Sequence, residues 1–291
     1  MAITDLTTTP SQWTRPQKWL FRFIAAYLFW YIFPFPITSL PLLEALSQPI
    51  NDIWNSISLW LGNDILQLEQ TISTKMNGSG DKTIDYLINL SIILMSITTT
   101  IIWSILDRKR ANYDALLYWL EVLVRYYLAA TLISYGGAKI FKTQFPFPGL
   151  HRLIQPYGES SPMGLAWTFM GYSPSFNYFT GFGEAISGFL LFFRRTKVLG
   201  AFIGISVMST IVMMNFGYDI PVKLYSSNLL LMLVLLLVSD GKRILNFFLL
   251  NKTVEPTKQV KPLANEKLHY AGLIAKYGFI LFTLYLSLIH I

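Results

Sequence analysis

Thr180-Gly-Phe-Gly-Glu184-Ala-Ile-Ser-Gly188 sets one acidic residue among apolar and small ones, inside a run long enough to span a membrane. The flanking stretches repeat the pattern. Upstream stand Glu121-Val-Leu-Val-Arg125 and Ser134-Tyr-Gly-Gly-Ala-Lys139. Downstream stand Arg194-Arg-Thr-Lys197, Met214-Asn-Phe-Gly-Tyr-Asp219 and the apolar run Leu229 to Val238. Charges at such depths are costly in a bilayer, so each is a functional candidate.

Composition agrees with a membrane protein. Of 291 residues, 53% are hydrophobic and 13% charged, against about 25% charged in a soluble domain; the mean hydropathy is +0.45. The formal charge of +7 sits mainly in short loops, as the positive-inside rule requires, and no nucleic-acid motif accompanies it. The absence of cysteine excludes a thiol nucleophile or a cysteine-held cluster within this chain. The three histidines, His151, His269 and His290, lie outside the central runs, which argues against a haem held by paired histidines and leaves no metal site to propose.

The expected fold is all-α: a polytopic transmembrane helix bundle of about seven spans, with surface helices in the first outer loop. Residues 1–14 read as a disordered start. Residues 15–112 hold two spans, about Trp19–Phe35 and Tyr86–Leu106, the first ended by Phe33-Pro-Phe-Pro36. Arg22 is expected to snorkel to the interface. Between these spans, Trp54, Ile57, Leu61, Ile65 and Leu68 recur at helical spacing, as in a helix lying on the membrane. Residues 113–250 form a four-helix core with spans near 113–140, 175–193, 198–216 and 225–238, and a second Phe-Pro-Phe-Pro at 145–148 as a helix-ending device. A linker covers 251–269 and a last span begins near Tyr270. Leu286-Ser-Leu-Ile-His-Ile291 matches the conceptual translation of a transposon end used as a sequencing adapter, so the natural chain is expected to diverge after Tyr285. Basic clusters at 15–18, 108–110, 194–197 and 242–267 all fall on one side if the N-terminus is cytoplasmic, which predicts a multi-pass protein of the inner membrane.

Two helix faces carry the chemistry. Glu121, Arg125, Ala129, Leu132, Gly136 and Lys139 share one face of the third span. Asn177, Gly181, Glu184, Gly188 and Leu191 share one face of the fourth, with small residues that admit close contact. Counted from the helix ends, Arg125 and Glu184 come to similar depth, which predicts a buried pair. Such a pair is either a structural clamp or a ligand- or proton-handling site. Lys139, Asn215, Asp219, Lys223 and Asn228, with Tyr157, Glu159 and Tyr172 of the outer loop, gather at the outer ends as a second candidate group, read either as a pocket lining or as a solvated rim. Gly181-Phe-Gly183 lacks the spacing of a dinucleotide fingerprint, and Gly200-x-x-x-Gly204 reads as helix packing.

Residues 120–240 resemble the DoxX-like membrane proteins. Arg125 followed by Gly136-Gly-Ala-Lys139, and Glu184 followed by Gly188, Leu190, Leu191 and Arg194-Arg-Thr-Lys197, are similar to that family's first two core helices. The resemblance implies a four-helix core. It also implies membership of a redox complex, since some members are membrane subunits of thiosulfate:quinone oxidoreductase and others associate with sulfurtransferase or superoxide dismutase. The chain carries no cofactor ligands of its own. Electron transfer would then use a diffusible quinone, or a redox centre on a partner protein. The alternative is a small-molecule carrier or an export or assembly factor without catalysis. Membrane lipid is a partner on either reading, and nucleic acid on neither.

Overall fold

The computed structural model describes residues 12–37, 43–75, 80–255 and 265–289. The described residues hold no strand; the α-helices are α1 (Arg15–Ile32), α2 (Gln48–Trp60), α3 (Thr83–Leu106), α4 (Asp114–Ile140), α5 (Leu150–Ile154), α6 (Pro162–Tyr172), α7 (Pro174–Leu191), α8 (Lys197–Gly217), α9 (Lys223–Val238), α10 (Gly241–Phe248) and α11 (Glu266–Ile289). Local chemistry explains several starts. Thr14 and Gln17 form a capping box on α1, and Ser161-Pro162 and Ser173-Pro174 each supply a side-chain cap plus a proline at the first turn.

The chain divides into two compact units, Met1–Val124 and Arg125–Ile291. In the first, α3 packs against α1 and α2. Arg22 does not snorkel. It is 4% exposed, and its guanidinium donates to Tyr113 Oη at 2.9 Å, Ser104 Oγ at 2.8 Å and the Asp107 carbonyl at 2.8 Å. Those oxygens replace the water that snorkelling would have supplied. The Arg22 guanidinium lies over the Tyr113 ring, 5.3 Å from the centroid, and Trp13, Phe21 and Trp103 pack with Tyr113 through edge-on and stacked rings. Trp13 and Thr14, inside the stretch expected to be disordered, are therefore held in place; residues 1–11 lie outside the described residues.

In the second unit, α8 packs between α7 and α9. Gly200 and Gly204 lie against Ser187, Leu190 and Leu191 of α7 and Leu233 of α9, so this glycine pair does serve packing. Among the described residues, four helices are long and apolar enough to cross a membrane: α3, α4, the segment Arg194–Gly217 containing α8, and α11. A fifth is possible if α9 and α10, bent by 74° at Ser239-Asp240, count as one broken span. That is fewer than the seven spans expected. Arg15, Lys18 and Arg22 lower the hydropathy of α1, and Asn177, Thr180, Glu184 and Ser187 lower that of α7. The second Phe-Pro-Phe-Pro does not end a helix. α4 stops at Ile140, and Phe145 is buried against Trp167, with ring centroids 5.0 Å apart.

Candidate functional site

Glycines set how α4 and α7 meet. A Cβ on Gly136 would lie 2.6 Å from the Gly181 carbonyl and 2.8 Å from Ala185 N, and one on Gly188 would lie 2.9 Å from the Ala129 carbonyl. The two antiparallel backbones touch there, and no larger side chain fits without displacing one helix. This contact brings two buried charges together. Lys139 Nζ donates to both carboxylate oxygens of Glu184 at 2.7 Å, and their side chains are only 6% and 1% exposed. Among the described residues Lys139 and Glu184 donate and accept only with each other. A carboxylate has about four lone-pair positions and an ammonium three N–H donors, so both retain unused capacity.

The predicted Arg125–Glu184 pair does not form. Arg125 is buried, but its Nε donates to the Leu191 carbonyl at 2.8 Å and its Nη2 to the Phe192 carbonyl at 3.0 Å. It thus satisfies carbonyls that the end of α7 leaves without intrahelical donors, at the negative pole of that helix. Register is the reason. α4 has 27 residues and α7 has 18, so depth counted from helix ends misleads. With Ala129 opposite Gly188, Glu184 is level with Ile133 and Arg125 with Phe192, a separation of about 12 Å at ~1.5 Å per residue. Side chains also lean toward the N-terminus of their own helix. On antiparallel helices this tilts Lys139 and Glu184 toward each other and Arg125 and Glu184 apart.

The remaining candidates have local partners. Glu121 is partly buried on α4, one turn before Arg125. Asn215 donates to Ser226 Oγ at 2.9 Å, joining α8 to α9, and Asn228 donates to the Leu224 carbonyl at 3.0 Å within α9. Asp219 pairs with Lys223 at 2.6 Å on an exposed turn. Tyr172 is 62% exposed at the end of α6, its ring beside Phe147. These contacts hold the α8–α9 turn and the end of α6 in place.

Sequence reading leaves three further polar residues out of its candidate set, although it places Asn177 on the Glu184 face. Tyr135 lies one turn from Lys139, whose ammonium is 5.9 Å from its ring centroid, and the Tyr225 ring stands 6.3 Å beyond. The four-residue spacing of Tyr135 and Lys139 was the available signal. Asn177 is fully buried two turns from Glu184 on α7. Its amide donates to the Met170 carbonyl at 2.8 Å while its Oδ1 accepts nothing among the described residues. The third is Asp240, which binds Lys197 at 2.7 Å and Arg243 at 3.0 Å; in the sequence all three look like ordinary helix-end charges.

No family model matches the chain, so the DoxX-like resemblance rests on the motifs quoted above. No solved structure matches it either. A relative does: the uncharacterised Bacillus subtilis protein YwoB is 34% identical over 133 residues, which is 43% of this chain and 79% of that protein. The chain, whose described residues hold helices fit to cross a membrane and no strand, belongs to the family of YwoB.

Proposed function

We propose that this chain is a multi-pass subunit of the bacterial inner membrane, N-terminus in the cytoplasm, that receives a quinone head group at the Lys139–Glu184 pair while the electron donor resides on a partner protein. The observation that supports this reading most is the pair itself: an ammonium and a carboxylate buried between touching helices, bonded only to each other. A quinone carbonyl accepts hydrogen bonds. Lys139 has an N–H to offer, and Tyr135 presents a phenol and a flat ring nearby. Reducing a quinone to a quinol takes two electrons, here from the partner, and two protons. A carboxylate and an ammonium in contact can hold and pass protons at that point. Arg125 has a different part, holding the end of α7 so that Glu184 stays in register. The DoxX-like motifs supply the redox context, and they include Arg125, Lys139 and Glu184.

Photolabelling with an azido-quinone in membranes containing the chain tests this. Label is expected on α4 or α7 peptides, competed by unlabelled quinone and lost in Glu184→Gln. Failure of the wild type to take competable label would overturn the quinone reading. The small-molecule carrier or assembly role would then be the one to pursue.

A further inference from the structure

From the α9–α10 corner we infer that α10 lies in the plane of the membrane and docks on a leaflet of anionic phospholipid. This rests on the chain being membrane-integral and is independent of the quinone reading. α10 turns 74° away from α9, so if α9 stands across the bilayer α10 runs along its surface. Its sequence, Gly241-Lys-Arg-Ile-Leu-Asn-Phe-Phe248, separates cleanly at 100° per residue. Lys242, Arg243 and Asn246 fall on one arc and Ile244, Leu245, Phe247 and Phe248 on the other. The apolar arc is largely uncovered, with Phe247 55% and Phe248 63% exposed, and Leu249 and Leu250 extend it. Phe248 sets its edge against Phe202 of α8 at 5.6 Å, which places that arc beside the flank of a helix fit for hydrocarbon. An amphipathic helix with basic residues on its polar side sinks ~5–10 Å into the headgroup boundary.

Charge identifies the lipid. Lys197, the first residue of α8, reaches Asp240 at 2.7 Å, so the Arg194–Lys197 turn and the α9–α10 turn sit side by side. Asp240 is the acidic group there, and Lys197 and Arg243 already engage it. Arg195, Lys242 and Lys252 stay exposed, leaving a positive surface beside an apolar one. Lipid phosphates of an anionic leaflet complement both.

Because the chain has no cysteine, single substitutions can be spin-labelled in the full-length protein. Nitroxides at Lys242→Cys, Leu245→Cys, Asn246→Cys and Phe248→Cys are read in nanodiscs of phosphatidylcholine, with and without phosphatidylglycerol, for collision with oxygen and with a water-soluble nickel chelate. Positions 245 and 248 should favour oxygen and positions 242 and 246 nickel. Phosphatidylglycerol should deepen 245 and 248, and Arg195→Gln/Lys242→Gln/Lys252→Gln should abolish that deepening. Nickel access at 248 would mean that the helix projects into water. Shielding of 248 from both reagents would mean that protein covers it. Depths indifferent to phosphatidylglycerol would remove the anionic lipid. Each of these three results overturns the inference.

Discussion

Lys139–Glu184 and Lys197–Asp240 are ion pairs of the same unit with the same 2.7 Å separation, yet their surroundings differ. Lys139–Glu184 joins the last turn of α4 to the middle of α7, against a touching backbone, and is closed on itself. Lys197–Asp240 sits at a turn, where Ser239 Oγ accepts from Lys197 at 3.0 Å and Arg243 donates to Asp240 at 3.0 Å. The second pair spreads its charge over neighbours and tolerates losing one. The first has no substitute for either member, so it either imposes a net cost or serves a ligand. A buried pair is weak evidence of stabilisation by itself, which is why the functional reading attaches to Lys139–Glu184.

The largest expected effect breaks that first pair. Glu184→Gln or Lys139→Met strands the surviving charge and should lower stability by about 3–5 kcal/mol, read as a fall in the unfolding midpoint of detergent-solubilised protein. The double variant should recover most of the loss, because no buried charge is stranded. If the recovered double variant still takes quinone label, the pair is a clamp and the ligand reading fails.

Next comes Arg125→Met. It removes two charge-assisted bonds to the end of α7 and should cost about 1.5–3 kcal/mol. Combined with Glu184→Gln the losses should add to within about 0.5 kcal/mol, as for sites more than ~7–10 Å apart. A large coupling between these two positions would restore the pairing that helix ends suggested and contradict the glycine-set register. Gly136→Ala tests that register directly. Its Cβ would press on the Gly181 carbonyl, and overpacking of this kind costs about 1–3 kcal/mol. The same change at Gly217, where an added Cβ meets nothing within 4 Å, is the matched control.

The helices were largely legible and the pairing was not, for different physical reasons. Apolar runs bounded by basic turns located α3, α4, α7, α8 and α9 to within one to three residues, because hydropathy and capping are local. Ser239-Asp240-Gly241 was readable as a break for the same reason. α6 is hard to see in the sequence: its Ser161-Pro162 start is a good cap, but eleven residues among glycines and aromatics look like a connection. Which residues of α4 face which of α7 depends on where two backbones touch. The glycines that decide it are visible in the sequence as small residues, but their spacing does not fix which meets which. Arg22 shows the same limit, since its three acceptors come from residues more than eighty positions away.

The smallest expected effect concerns the networked pair, and pH reveals it. Asp240 lies at a turn outside the membrane-crossing helices. Burial alone would raise its carboxyl, but hydrogen bonds and charge from Lys197, and then from Arg243, outweigh burial and hold it below the usual value. A carboxyl whose folded pKa is depressed stabilises the fold above its unfolded pKa of about 3.9. That contribution fades as pH falls from there through the lower folded value. Asp240→Asn, which keeps an acceptor for Lys197 and Arg243, should therefore cost about 0.5–1.5 kcal/mol at neutral pH, the net worth of a hydrogen bond. Wild type and variant should converge as pH drops below about 4, measured as unfolding midpoints in one detergent. A gap that stays constant down to that pH would show that Asp240 acts through packing alone. A neutral-pH loss as large as that of Glu184→Gln would erase the distinction between the two pairs.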